Sequence, residues 1–485
     1  MPEQGAGRLI QVADLFGEHG VSFLVAMTNG VLLDLLLRPW VNRPRFGRKR
    51  SHFGVRESMV LWTLVYVAAL IYGHYRLKEW EGIAAAARAE DSVRRPMVVA
   101  TVQTNIAQNN KERRTLDVDR RMWGELESLT HQAAAGVCGG GGAAVELIVW
   151  PETMAPASIN VESVRRYRAS ASVWRARIGK RLAALEGGDS GKYWRDLAES
   201  FGVSVEGLPG YLAKWDEENA ACRARIAALA KQVDTPLLVG ASTEFYDDRG
   251  QSIRRYNSAY LSYADGRYAD ERYDKMYRVP FGEYVPWVEW WPWLKEQFIR
   301  YLTPYDHDYS LNAGTERTVF RVARKGGGRE GSPGGEVRVC TPICFEDTIW
   351  RLCRSMVYGR GWVKRAQVLA NLTNDGWFAG YAQGYQQFQI AVLRCVENRV
   401  PMVRSVNTGV SGMISSAGVV GPVVTVDGRR ENVSGVVCGE LVLDDRRSLF
   451  GWWGHVPVAV VAGCTLSATL LGALGGKRRA RRTDR

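Results

Sequence analysis

Three stretches of this chain are apolar for long enough to cross a membrane, and they constrain everything placed between them. Residues 21–37 are apolar apart from a few small polar side chains and Asp34. Residues 58–75 are mostly apolar and aromatic, and residues 456–476 carry no charge. Each is close to the roughly 20 residues that a helix needs to span hydrocarbon. The first two are separated by residues 38–56, which hold seven Lys/Arg and no acid. Buried core helices need no such separator, whereas membrane spans joined by a cytoplasmic loop carry one.

The formal net charge is +13 over 485 residues, but the excess is local. Residues 477–485 hold six more Lys/Arg against Asp484, and without the two basic runs the remainder is close to neutral. No nucleic-acid-binding motif accompanies them, so nucleic acid is not an expected partner. The positive-inside rule places the 38–56 loop and the 477–485 tail in the cytoplasm. Residues 90–450 then lie on the opposite side of the membrane, as do residues 1–20. The latter show no basic segment followed by an apolar one, so no signal peptide is read there. A translocated N-terminus with nothing to carry it predicts early spans supplied by an upstream start or by a separate chain.

Between the second and third spans, apolar runs alternate with amphipathic ones. Residues 97–104, 145–150, 237–241, 256–263, 319–322, 336–343, 368–372, 402–406, 412–415 and 419–426 read as strands. Helices are expected over 116–136, 347–358 and 380–398, with a helical insertion over 161–233, rich in Arg, Ala, Glu and Lys. Such alternation predicts a layered α/β domain. The Gly-rich loop 139–142 lacks the Gly-Lys-Ser/Thr of a phosphate-binding loop and reads as a connection. Residues 325–335 read as a loop or hairpin tip.

The eight cysteines contain no C-x-x-C pair and no zinc spacing. Neither a metal nor a disulfide framework is expected, and most cysteines read as small buried apolar side chains. Cys344 stands apart, because it lies between a strand and a helix, where a helix N-terminus favours a thiolate. Only His131 and His307 lie well inside the outer domain, and neither has a triad-like context. A carboxylate is therefore the natural base for the thiol. The tetrapeptide Gly188-Asp189-Ser190-Gly191 copies a serine-protease sequence but sits in a polar, helix-rich region, so it reads as a chance match. Trp150-Pro151-Glu152 follows an apolar run, and Asp274-Lys275 lies shortly before Glu283. Glu, Lys and Cys in that order suggest a base, a cationic oxyanion stabiliser and a sulfur nucleophile.

Several motifs in order carry a specific resemblance. They are Val102-Gln103-Thr104-Asn105-Ile106, Trp150-Pro151-Glu152-Thr153, and Pro280-Phe281-Gly282-Glu283-Tyr284-Val285-Pro286. They continue with Ile343-Cys344-Phe345-Glu346, Asn374-Asp375-Gly376-Trp377-Phe378 and Arg404-Ser405-Val406-Asn407-Thr408-Gly409. The chain resembles the nitrilase, or carbon-nitrogen hydrolase, superfamily and within it the bacterial apolipoprotein N-acyltransferases. Residues 20–37 resemble the late membrane spans of that family. The resemblance implies a nitrilase-like αββα four-layer sandwich with about three transmembrane helices. It implies Glu152 as general base, Lys275 as oxyanion stabiliser and Cys344 as nucleophile, with Glu283 and Glu346 as further acids and no cofactor.

By the same resemblance, Cys344 takes an acyl chain from a phospholipid, by likeness phosphatidylethanolamine, as a thioester. The chain then passes to the amine of a diacylglyceryl-cysteine at a lipoprotein N-terminus. The expected place is a bacterial inner membrane, multi-pass, with the catalytic domain on the periplasmic side. The aromatic run 287–293 is suited either to the membrane interface or to a buried cluster. Two alternatives stand beside this reading: a membrane-tethered amidase hydrolysing a small amide, and a half-protein that needs a separate membrane partner. Departures from the family pattern are the fewer spans, the length of 161–233, Glu112 where a tryptophan is usual, and Phe345 where a tyrosine often follows the nucleophile.

Overall fold

Strand β1 (Met97–Gln103) shows how the domain is layered. All seven of its residues are buried, as in a strand covered on both faces. Side chains alternate in direction along a strand. Met97 and Val99 pack in a core shared with a second sheet, and Val98, Ala100 and Val102 pack in another core with helices. The computed structural model in which this is seen describes residues 4–41, 55–89, 95–106, 115–136, 144–174, 189–247, 252–287, 291–302, 309–325, 335–359, 362–377 and 383–467. Cys138, the Gly-rich loop 139–142, Glu112, His307, Gly188, the tail 477–485 and most of 42–56 and 325–335 lie outside the described residues.

The first sheet joins β1 to β2 (Leu147–Val149), β3 (Leu237–Tyr246), β4 (Ser252–Ser262), β5 (Tyr273–Asp274) and β12 (Gly435–Leu441) in the order β12-β1-β2-β3-β4-β5. The second contains β6 (Phe320–Ala323), β7 (Glu336–Cys340), β8 (Val368–Thr373), β9 (Met402–Val406), β10 (Gly412–Ile414) and β11 (Val420–Val423), in the order β11-β10-β9-β8-β7-β6. At the centre of each sheet the pairing is parallel, β1 with β2 and β2 with β3, and β7 with β8 and β8 with β9; the edges are antiparallel. Side chains also tie the sheets together. Ser405 Oγ donates to the carbonyls of Val102 and Val149, and Thr101 Oγ1 donates to that of Arg404.

Helices Leu116–Ala134 and Leu208–Gln232 cover the first sheet through Met122, Leu126, Ile226 and Leu229. Helices Trp350–Val357 and Gln383–Asn398 cover the second through Leu352, Met356, Phe388 and Val392. The layers are therefore αββα, as the sequence leads one to expect. Segment 161–233 forms helices Val161–Val173, Asp189–Ser200 and Leu208–Gln232, and the last is a wall of the sandwich itself. Strand β12 has no counterpart among the sequence expectations. Its two glycines and half-buried residues blur the apolar alternation, and full pairing with β1 holds it in place.

Two helices stand apart from this core. Glu18–Val41 and Val55–Ala87 contain stretches, Glu18–Leu36 and Arg56–Ala87, that are long and apolar enough to cross a membrane by length and composition. They expose Phe23, Leu32, Leu33, Leu64 and Ile71, a surface suited to lipid and costly in water. The third expected span is described only as the short apolar helix Val456–Ser467.

Residues 10–16 dock these helices onto the sandwich. Asp14, 1% exposed, accepts hydrogen bonds from Tyr72 and Arg76 of the second apolar helix and from Arg399 of the sandwich. Gln11 donates to the Ala417 carbonyl and accepts from Arg399. Removing one partner of a buried pair leaves the other charge desolvated and uncompensated. Asp14→Ala is therefore expected to cost about 3–5 kcal/mol, read as a lower unfolding midpoint of the purified chain in detergent.

Among the described residues Cys222, Cys340, Cys353 and Cys395 are buried, as expected, and the last three are free thiols. Cys438 on β12 is disulfide-bonded, which the spacing of the cysteines does not reveal.

Candidate active site

The residues singled out in the sequence sit on loops after three strands. Glu152 leaves the end of β2, where Gly240 of β3 admits the chain closely. A Cβ at Gly240 would lie 2.4 Å from the Pro151 carbonyl oxygen and 2.8 Å from Glu152 Cα. Lys275 directly follows β5, and its backbone N–H donates to the Asn257 carbonyl on β4. Cys344 follows β7 with φ at +53°, a left-handed conformation that costs a non-glycine residue energy and is kept where surroundings over-determine it.

Those surroundings are specific. Asn371 Nδ2 on β8 donates to the carbonyls of Pro342 and Cys344 at 3.1 and 3.2 Å. Glu346, fully buried, accepts from the backbone N–H groups of Met276 and Tyr277 with one oxygen. The other oxygen accepts from Ile343 N–H and from the Tyr273 hydroxyl. One carboxyl group thus clamps the Lys275 loop to the Cys344 turn. Burial pushes its pKa up to about 7, against the pull of these hydrogen bonds. Phe345 is half-buried, and its carbonyl accepts from the Thr348 hydroxyl.

Lys275, 1% exposed, is held between two carboxylates. Its Nζ lies 2.7 Å from Glu283 Oε1 and 3.4 Å from Glu152 Oε1. Asn257 Nδ2 also donates to Glu152 Oε1, and the Val279 N–H donates to Glu283 Oε2. Burial works against the lysine charge, but Glu152, Cys344 and Glu283 together hold its pKa above the ordinary value. The Cys344 thiol is pushed up, first by burial and then by Glu152, while Lys275 pulls it down. Asp375 adds a smaller upward push.

The helix after Cys344 departs from the expectation of a dipole-stabilised thiolate. A short 3-10 turn, Cys344–Thr348, comes first, and the α-helix begins only at Trp350. The dipole acts over the first turn of a helix, so it does not reach the sulfur, and burial favours the protonated form of the group. Such a thiol needs a base to become a nucleophile. Glu152 is near enough to act on its pKa, and Lys275, ion-paired with Glu152, acts on it in the opposite sense.

Residues 98–448 match the carbon-nitrogen hydrolase family. The chain belongs to that family. Over most of its length this carbon-nitrogen hydrolase is similar to proteins named apolipoprotein N-acyltransferase. It is 27% identical to that of Geobacter metallireducens over 463 residues, 95% of this chain and 67% of that one. It is 28% identical to that of Chlorobaculum tepidum over 409 residues, 83% of this chain and 59% of that one. The chain thus spans about three fifths to two thirds of the length of these two relatives. An amidase from Nesterenkonia sp. superposes with a TM-score of 0.39 at 15% identity, covering 72% of this chain and 93% of that one.

Other residues around the cysteine went unremarked in the sequence except as parts of matched motifs. Asn257 had no signal at all, lying mid-strand in β4. Asp375 and Arg404 lie within matched motifs but have no local pattern that marks a role. Arg404, fully buried on β9, places Nη1 2.8 Å from Asp347 Oδ2 and Nη2 3.6 Å from Asp375 Oδ2.

Proposed function

We propose that this chain is an acyltransferase of lipoprotein maturation, in which Cys344 carries the acyl chain between a membrane lipid and an amine. Glu152 takes the thiol proton as sulfur attacks the ester carbonyl of a phospholipid, and Lys275 faces the oxyanion. The leaving lysophospholipid oxygen takes that proton from Glu152, which restores the carboxylate, and the thioester then passes its acyl group to the α-amine of a diacylglyceryl-cysteine. Glu283 keeps Lys275 charged and in place, and Glu346 fixes the two loops to each other. The observation that carries the reading is the Lys275 cluster, buried beside a thiol in a domain docked on two long apolar helices. Both substrates of such a reaction reside in a bilayer, and a fixed docking through Asp14 holds the sulfur at a set height above it. Trp287, Trp291 and Trp293 are largely exposed, a distribution suited to the interfacial zone where tryptophan is favoured.

The test is the purified 1–485 chain in proteoliposomes with phospholipid and a diacylated lipopeptide. N-acylated lipopeptide supports the reading, and full transfer without a second chain would also remove the need for separately supplied spans. Hydrolysis of a small amide with no N-acylation would favour the amidase alternative.

The reading also places the catalytic domain in the periplasm. The disulfide at Cys438 suits such an oxidising compartment. A reporter active only in the cytoplasm is expected to work when fused at the C-terminus and to be silent when inserted near residue 325. The opposite pattern would overturn the membrane topology.

A further inference from the structure

The proposed reaction needs the acceptor nitrogen to reach a thioester on Cys344 ahead of water, and the triad offers nothing that tells the two apart. A different pair of acids does. Asp375, 8% exposed, has one carboxylate oxygen, Oδ2, with no hydrogen-bond partner. Arg404 Nη2 is ion-paired with that oxygen at 3.6 Å and pulls its pKa down, but it lies beyond hydrogen-bond length. A buried carboxylate oxygen without a hydrogen bond is costly, and a donor that arrives there removes the cost.

Glu431 approaches the same spot from another element. A Cβ at Gly409 would lie 2.1 Å from Asp375 Oδ2. A Cβ at Gly384 would lie 2.3 Å from Glu431 Oε1 and 3.4 Å from Gly409 Cα. The two carboxylates therefore bracket one pair of glycines, where any side chain would fill the space. The segment carrying Glu431 is fixed there. Gln103 Nε2 donates to the Arg430 carbonyl at 2.9 Å, Asn432 N–H donates to the Thr408 carbonyl at 2.7 Å, and Asn105 Nδ2 donates to the Asn432 carbonyl at 3.0 Å. Each carboxyl is raised above its ordinary range, first by burial, with Asp375 adding to the rise at Glu431. A cation placed between them would relieve both effects.

We infer that Asp375 and Glu431 form a seat for a primary ammonium group, which presents the acceptor's amine to the thioester on Cys344. The inference rests on the acyl-transfer reading above and names the chemistry of its second substrate. Charge-assisted hydrogen bonds favour an ammonium strongly over neutral water. The half-buried Glu431 is the route by which the ammonium sheds one proton to solvent. The free amine then attacks: the N–C bond forms, the C–S bond breaks, and the second N–H proton ends on the Cys344 sulfur by way of Glu152. An ammonium and a thioester become an amide, a thiol and one released proton.

The experiment follows the fate of one thioester. Purified 1–485 chain is acylated with a soluble p-nitrophenyl ester, then chased with a diacylated lipopeptide below saturation. The ratio of N-acylated lipopeptide to free fatty acid is measured. Because both products come from the same thioester, the ratio does not depend on how fast the thioester forms. Glu431→Gln is expected to shift it toward free acid by about tenfold, the scale of losing one charge-assisted hydrogen bond. Asp375→Asn is expected to shift it in the same direction. An unchanged ratio in both variants overturns the ammonium seat. Failure of the unsubstituted chain to form any thioester overturns instead the acyl-transfer reading, and the seat with it.

Discussion

Cys344→Ala is expected to abolish acyl transfer and leave the fold in place. The alanine keeps the backbone that Asn371 and Glu346 hold in the left-handed conformation, and the side chain it removes is small and half-buried. What disappears is the covalent route itself. Losing the nucleophile of such a unit costs on the order of 10⁴-fold or more. After incubation of the unsubstituted chain with phospholipid, mass spectrometry is expected to find an acyl group on Cys344 that hydroxylamine removes. Cys340, four residues earlier, is the control. It is fully buried at the end of β7, with its sulfur directed to the carbonyls of Thr318 and Met356, so Cys340→Ala is expected to keep activity. An acyl group on Cys340, or transfer by Cys344→Ala at the unsubstituted rate, would remove Cys344 from the proposed role.

The strands of the sandwich were legible because they are buried on both faces. Residues 97–104, 368–372 and 402–406 read as near-continuous apolar runs, and the structure places β1, β8 and β9 there to within a residue at each end. Where one face is half open the signal weakened. Strand β12 was missed, and β3 extends to Tyr246, well beyond the apolar run 237–241. Asp347 reads as a helix start, yet the helix after Cys344 begins at Trp350, because the Asp347 carboxylate is taken by Arg404 inside the protein. At the site, residue types were visible one at a time, but their convergence was not. Lys275 and Glu152 are 123 residues apart in sequence and 3.4 Å apart in space, a closure made by the order of strands in the first sheet. Glu431 lies outside every motif, since nothing local marks an acid in the polar connection between β11 and β12.

Glu152→Gln and Lys275→Met are expected to slow thioester formation by on the order of 100-fold or more each, for different reasons. Glutamine keeps the shape of Glu152 and an oxygen for Asn257 Nδ2 to bond, but it cannot accept a proton. The Cys344 thiol is held above its ordinary pKa by burial, so without a base little thiolate forms at neutral pH, and general-base losses are of this size. Methionine keeps most of the lysine stem but removes the charge facing the oxyanion, a loss of comparable or greater size. The second substitution has a further effect. Glu152 and Glu283 both lean on Lys275, and without it a buried and a half-buried carboxylate face each other. Lys275→Met alone is therefore expected to destabilise the chain by about 3–5 kcal/mol. Adding Glu283→Gln removes one of the two charges and is expected to restore much of the stability but none of the rate. Recovery of the rate in that double variant would make Lys275 a structural counter-ion and take it out of the proposed chemistry. Near-normal thioester formation by Glu152→Gln would do the same for the base.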